Sequence, residues 1–287
     1  MSVTATCRPQ PSTPFTATPT YDRSRPADWP ELPALATSSL RVPVAGGGHV
    51  DYVNADHGAS TPALRLVEEA VARAGATYSS VHRGQGWASQ VTSAHYEAAR
   101  AEIGRFVGAR AEDVVVITRN TTDALNLLAR SLPADAHVVV FATEHHATLL
   151  PWPAERTVRL PVPHSAAEAH RLLGDALRGL PREAPRLVVL TGASNVTGEL
   201  WDLATLVPLA TAHGARVALD AAQLAPHRAI DLQRLGVDWV ALSGHKLYAP
   251  YGAGALVGRR DWLDAAQPYL SGGGATAAVR TDEVEWA

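Results

Sequence analysis

The sequence predicts an α/β fold, a mostly parallel sheet flanked by helices, on three observations. From residue 62 onward, stretches of helical periodicity alternate with short β-branched runs. Several of those runs are apolar throughout, Leu187-Val188-Val189-Leu190 being the clearest, which suits strands buried on both faces. The helical stretches fall where right-handed crossovers would join successive parallel strands. A chain of 287 residues with 46% hydrophobic content is also large enough to bury a substantial core.

The elements follow in order. Residues 1 to about 39 are rich in Pro, Thr and Ser and lack periodicity, so they read as a disordered or loosely attached leader, and 40–287 as the folded domain. Gly46-Gly47-Gly48 reads as a turn before the apolar run 50–53; with no helix pattern after it, it is poor evidence for a phosphate loop. Helices are expected over 62–74 and 90–107, then a strand over 113–118, a helix over 121–131 and strands over 136–141 and 157–160. A helix over 165–180, a strand over 186–191 and a helix over 202–213 come next, followed by strands over 216–220, 237–243 and 254–257.

Composition excludes several roles. A formal net charge of −3 with 18% charged residues supplies no basic field for nucleic acid. The single cysteine, Cys7, rules out an intramolecular disulfide and a multi-cysteine metal site and fits a reducing compartment. No run approaches the roughly 20 apolar residues that span a bilayer, and the N-terminus has no signal-peptide core. A cytoplasmic protein with neither a nucleic-acid nor a membrane partner is expected.

Of the 25 lysines and arginines, only Lys246 is a lysine. A guanidinium stays charged, whereas a lysine amine can lose its proton and attack a carbonyl. A solvated lysine left by chance is the plain alternative, but a chain so biased toward arginine makes a functional lysine the better reading.

In open α/β sheets ligands bind beyond the carboxyl ends of the strands. There, Arg119-Asn120-Thr121-Thr122-Asp123 places hydroxyls and free N–H groups at a helix start, which makes either an anion site or an ordinary N-cap. Glu144-His145-His146 offers an imidazole that could stack on a flat ring or move a proton; two adjacent histidines rarely face one metal ion. Ser194-Asn195-Val196-Thr197-Gly198 and Asp220-Ala221-Ala222-Gln223 follow the next two strands. Asp220, at the end of a buried strand, needs a cationic partner such as a pyridinium nitrogen, or else caps a turn or bonds a histidine such as His245. Ser243-Gly244-His245-Lys246 closes the series with groups that could hold a phosphate beside the sole lysine. A lysine for an aldehyde, a carboxylate for a ring nitrogen, donors for a phosphate and a flat group for a ring face suit one ligand, a pyridine aldehyde phosphate.

In this ordered series, from about Tyr52 to Trp286, the sequence resembles the class V aminotransferase and cysteine desulfurase group of fold-type I enzymes that use pyridoxal 5′-phosphate (PLP). The resemblance implies a mixed, mostly parallel sheet, the large domain of that fold. It implies that Lys246 forms a Schiff base with PLP, that Asp220 keeps the pyridine nitrogen protonated and that His145 stacks on the ring. Asn195 and Gln223 would lie near the phenolic oxygen, and Thr121, Thr122, Ser243 and His245 would hold the phosphate. His82 matches a substrate-side position.

The implied activity is chemistry at the Cα of an amino acid, with Lys246, His145 and Asp220 as the catalytic set and a homodimer as the working form. By resemblance, Gly272-Gly273-Gly274 lies near the dimer interface. Family members continue beyond the residue that aligns with Ala287, so the resemblance also implies a truncated large domain whose C-terminal small domain is missing. Cys7 has no context matching a sulfur-accepting cysteine. Two other readings stand beside the enzyme: a truncated or catalytically silent PLP-binding module, and a nucleotide-binding protein that leaves Lys246 and Asp220 unexplained.

Overall fold

The computed structural model describes residues 33–37, 39–272, 276–281 and 283–286. Most of the predicted leader, with Cys7, and Gly273 and Gly274 of the glycine run lie outside the described residues. Residues 34–287 form one compact unit. Within it the Ala36 N–H donates to the Ala63 carbonyl and the Arg65 N–H to that of Ala34, each at 2.9 Å.

Strands β1 (Arg41–Pro43) and β2 (His49–Asp51) make an antiparallel hairpin. Its turn carries Gly46, Gly47 and Gly48 at φ of 99°, 93° and 91°, a region that glycine enters without steric cost. Helices α1 (Arg65–Gly75) and α2 (Trp87–Phe106) follow. The first begins three residues later than its sequence pattern suggests, because the chain before it is held extended against a distant segment. The Thr61 N–H donates to the His245 carbonyl at 2.9 Å and the Leu64 N–H to that of Tyr248 at 3.1 Å.

The rest of the chain alternates as the periodicity predicts, with the short α4 as an addition: β3 (Val114–Thr118), α3 (Thr121–Arg130), β4 (His137–Phe141), α4 (His146–Leu149), β5 (Thr157–Leu160), α5 (Ala166–Gly179), β6 (Arg186–Thr191), α6 (Leu203–Ala212) and β7 (Arg216–Asp220). It continues through α7 (Leu232–Leu235), β8 (Trp239–Ser243), β9 (Gly254–Gly258), α8 (Asp261–Ala265) and a second hairpin, β10 (Thr276–Val279) with β11 (Val284–Trp286). β3 to β9 form one seven-stranded sheet in the order β3-β9-β8-β7-β6-β4-β5. β9 runs antiparallel to both neighbours and the other pairs are parallel, so the sheet is mixed and mostly parallel.

Alternation along each strand divides the core between the two faces. Val139, Phe141, Val188 and Leu190 pack with Leu173, Leu177 and Leu206 of α5 and α6, while Val138, Val140, Leu187 and Val189 pack with Leu125 and Leu128 of α3. All six residues of β6 are buried, which explains the unbroken apolar run from Leu187 to Leu190 within it.

β9 passes so close to the start of α3 that only glycine fits at 254. A Cβ there would lie 2.6 Å from the Asn120 Cα and 2.7 Å from the Leu242 carbonyl oxygen. Gly254→Ala should therefore push the Asn120 turn away from the sheet and cost about 1–3 kcal/mol, as overpacking does. Guanidinium unfolding would show it as a lower midpoint at unchanged slope.

Candidate functional site

The polar residues that follow β3, β4, β6, β7 and β8 converge on a cleft of about 370 Å³ beyond the carboxyl ends of the strands. Thr121, Thr122, His145, Asn195, Asp220, Gln223, Ser243, His245 and Lys246 all line it. Alone, each of these signals was weak; parallel order across β4, β6, β7 and β8 delivers them to one place.

Asp220 is the last residue of β7 and only 4% exposed. Its Oδ1 accepts the Ala222 N–H at 2.9 Å and its Oδ2 accepts the Thr148 hydroxyl at 2.8 Å. No histidine bonds it among the described residues, so the alternative of an Asp220–His245 pair gives way to a threonine and a backbone donor. Burial pushes its pKa above the usual carboxylate value, opposed by those two donors and by the charges of His145 and Lys246. A cation above this carboxylate would stabilise its ionised form.

The Lys246 amine donates to the carbonyls of Gly58 at 2.9 Å and Ala59 at 3.2 Å. Gln223 Nε2 donates to the same Gly58 oxygen at 2.7 Å. Burial lowers the lysine pKa, and the negative charges of Asp220 and Asp56 oppose it. A larger share of the amine is thus neutral at a given pH than in an exposed lysine, as attack on a carbonyl carbon requires.

His145 caps α4, its Nδ1 accepting the Ala147 N–H at 3.1 Å. That bond places the proton of a neutral ring on Nε2. At the other end of the cleft, Ser243 and Thr121 are joined across 122 residues: the Thr121 N–H donates to Ser243 Oγ at 2.9 Å, and Ser243 Oγ donates to Thr121 Oγ1 at 2.9 Å. Asn120 caps α3 by accepting the Asp123 N–H at 2.9 Å, so the N-cap reading of this turn holds. The positive end of the α3 dipole, the two threonine hydroxyls and His245 are groups that could hold an anion. Burial, and then the Lys246 charge, lower the His245 pKa.

His82 takes no part in lining this cleft. Its Nε2 pairs with Glu97 of α2 at 2.9 Å and its ring meets Tyr96 edge-on at 5.8 Å, so within one chain it stands apart from the residues gathered here. Three participants went unnoticed in the sequence: Thr148, which holds Asp220; Thr191, which lines the cleft; and the Gly58–Ala59 carbonyls, which hold Lys246. A strand-end threonine and two loop carbonyls carry no local signal, and only folding brings them to the site.

The family model for aminotransferase class-V matches residues 35–287. Curated relatives include the probable cysteine desulfurase of Aeropyrum pernix, 40% identical over 80% of this chain and 59% of that protein, and the cysteine desulfurase CsdA of Escherichia coli K12, 38% identical over 68% of this chain and 50% of that one. Among solved structures, the crystal structure of CsdA (S-sulfonic acid) from Escherichia coli superposes with a TM-score of 0.66 at 33% identity, over 81% of this chain and 60% of that one. The apo cysteine desulfurase of Thermococcus onnurineus NA1 gives 0.70 at 29% identity with the same coverage. The chain spans about half to three fifths of the length of these relatives.

Proposed function

The chain belongs to the aminotransferase class-V family, and on that premise we propose that it holds PLP in this cleft and works on the Cα of an amino acid. The observation that carries the proposal is the placing of the only lysine and a buried carboxylate on one cleft, beside hydroxyls at a helix N-terminus. PLP calls for those groups: an amine for its aldehyde, an anion for its ring nitrogen and donors for its phosphate. Lys246 would take the aldehyde, Asp220 the ring nitrogen, His145 the ring face, and Asn195 and Gln223 the phenolic oxygen. Thr121, Thr122, Ser243 and His245 would hold the phosphate.

When bound, PLP supplies an electron sink that acidifies the Cα–H of an attached amino acid. The chain contributes the rest. With PLP bound, the Lys246 amine would be the base that accepts the Cα proton, and the Gly58 and Ala59 carbonyls give that amine a fixed seat. Asp220, kept in place by Thr148 and the Ala222 N–H, would hold a proton on the ring nitrogen.

L-Cysteine is the first substrate to try, since the relatives are named cysteine desulfurases. We place the working protein in the cytoplasm as a homodimer, for which the exposed Trp87, Tyr78 and Leu66 provide apolar surface to bury; no described helix is long and apolar enough to cross a membrane. The test is deuterium exchange at Cα, followed by NMR in D₂O with PLP-loaded protein and a panel of L-amino acids. Exchange with at least one of them, lost in Lys246→Ala, is expected. Cofactor uptake with no exchange on any would leave a silent PLP-binding module.

A further inference from the structure

Beneath the cleft lies a buried polar cluster that the proposed chemistry does not use in full. Glu144, Thr148, Thr191 and Asp220 are all buried among apolar side chains. Thr191 and Asp220 are register partners on β6 and β7. Thr148 is committed to Asp220, and the Thr191 hydroxyl donates to Glu144 Oε2. Glu144 Oε1 has no hydrogen-bond partner among the described residues, and the residue is only 5% exposed. A buried polar atom without a partner calls for an explanation.

We infer that Glu144 is a positioning residue that works in its neutral, acid form, anchoring the Thr191 hydroxyl at the cleft wall beside Asp220. The surroundings argue for this. An ionised carboxylate in this position would keep one oxygen bare in an apolar setting, a far larger cost than a bare oxygen on a neutral acid. No cation among the described residues acts on it: β6 presents Thr191 and β7 presents Asp220, His145 and His146 follow it in the chain, and Lys246 acts on Asp220. Burial accordingly pushes the Glu144 pKa up to about 8, helped by the Asp220 charge and opposed by the Thr191 hydroxyl and backbone.

Two carboxylates sharing one buried floor cannot both ionise cheaply. A neutral Glu144 lets the donors and any cation in the cleft act on Asp220 alone, and it keeps the Thr191 hydroxyl from turning into the cleft. The consequence for the cofactor rests on the proposed function; the protonation state of Glu144 does not, so its test is run on the cofactor-free chain.

The experiment is denaturant unfolding of wild type and Glu144→Gln between about pH 5 and pH 9. A folded pKa raised above the unfolded value of 4.5 means that the stability tied to this group is fully present below pH 4.5 and is lost as pH climbs toward about 8. Glutamine copies the neutral form at every pH. The folding constant of Glu144→Gln relative to wild type should therefore rise about tenfold per pH unit from pH 5 and level off near pH 8. A ratio flat across the range would mean that Glu144 is ionised in the folded chain and would overturn the inference.

Should Glu144→Gln fail to fold, Thr191→Val removes a donor that favours the ionised form. Its folding constant relative to wild type should then stay level at low pH and fall above about pH 8, where wild type has ionised Glu144 and the variant still resists. A level ratio throughout would again count against the inference.

Discussion

Asp220→Asn is expected to lower Cα–H exchange by about a hundredfold or more while leaving the chain folded and able to take up PLP. Asparagine has the shape of aspartate and can still accept the Ala222 N–H; the Thr148 hydroxyl can turn to accept from the new amide. What it loses is the charge. Without an anion the ring nitrogen has nothing to hold its proton, and the cofactor is a poorer sink for the electrons released at Cα. Stability should move the other way, because burial already disfavours the ionised Asp220, and a neutral isostere removes that cost. Measured together, exchange and unfolding midpoint separate this account from a plain folding defect. A fall in both would say that Asp220 serves the fold rather than the cofactor.

The second large effect is expected at Lys246. Lys246→Ala should abolish the covalent link to PLP and lower exchange by about a thousandfold or more, because both the attachment point and the base are removed. Lys246→Arg should do no better: a guanidinium keeps its proton and cannot attack an aldehyde, even in a chain that uses arginine at every other cationic position. Stability should change little. Of the two carbonyls that Lys246 holds, that of Gly58 keeps its bond from Gln223.

The sheet was largely legible because its strands are buried on both faces. β3 to β9 each fall within two residues of the expected runs, and α3 and α5 between them show clear periodicity. The short elements escaped for a physical reason: α4, α7 and α8 have four or five residues, too few for a periodic signal. The beginning of α1 was misplaced because bonds from residues 61 and 64 to the 245–248 segment, not local sequence, hold the preceding chain extended.

The site divides along the same line. Residues at or just beyond strand ends, such as Thr121, His145, Asp220 and Lys246, were found by their position in an α/β sheet, and the structure gathers them. Their supports were not visible. Thr148 meets Asp220 across 72 residues, Thr191 meets Glu144 across 47, and the Gly58 carbonyl meets Lys246 across 188. A hydroxyl in a strand or a carbonyl in a loop looks like any other until packing brings its partner. His82, singled out by resemblance alone, is turned by the fold toward Glu97.

The central claim is that Lys246 anchors PLP in this cleft, and its most direct test is to reduce the PLP-treated protein with borohydride and locate the adduct by mass spectrometry. The account predicts a visible absorbance band that borohydride removes and a single pyridoxyl group on the peptide containing Lys246. No band and no adduct on that peptide, from protein shown to be folded, would contradict it.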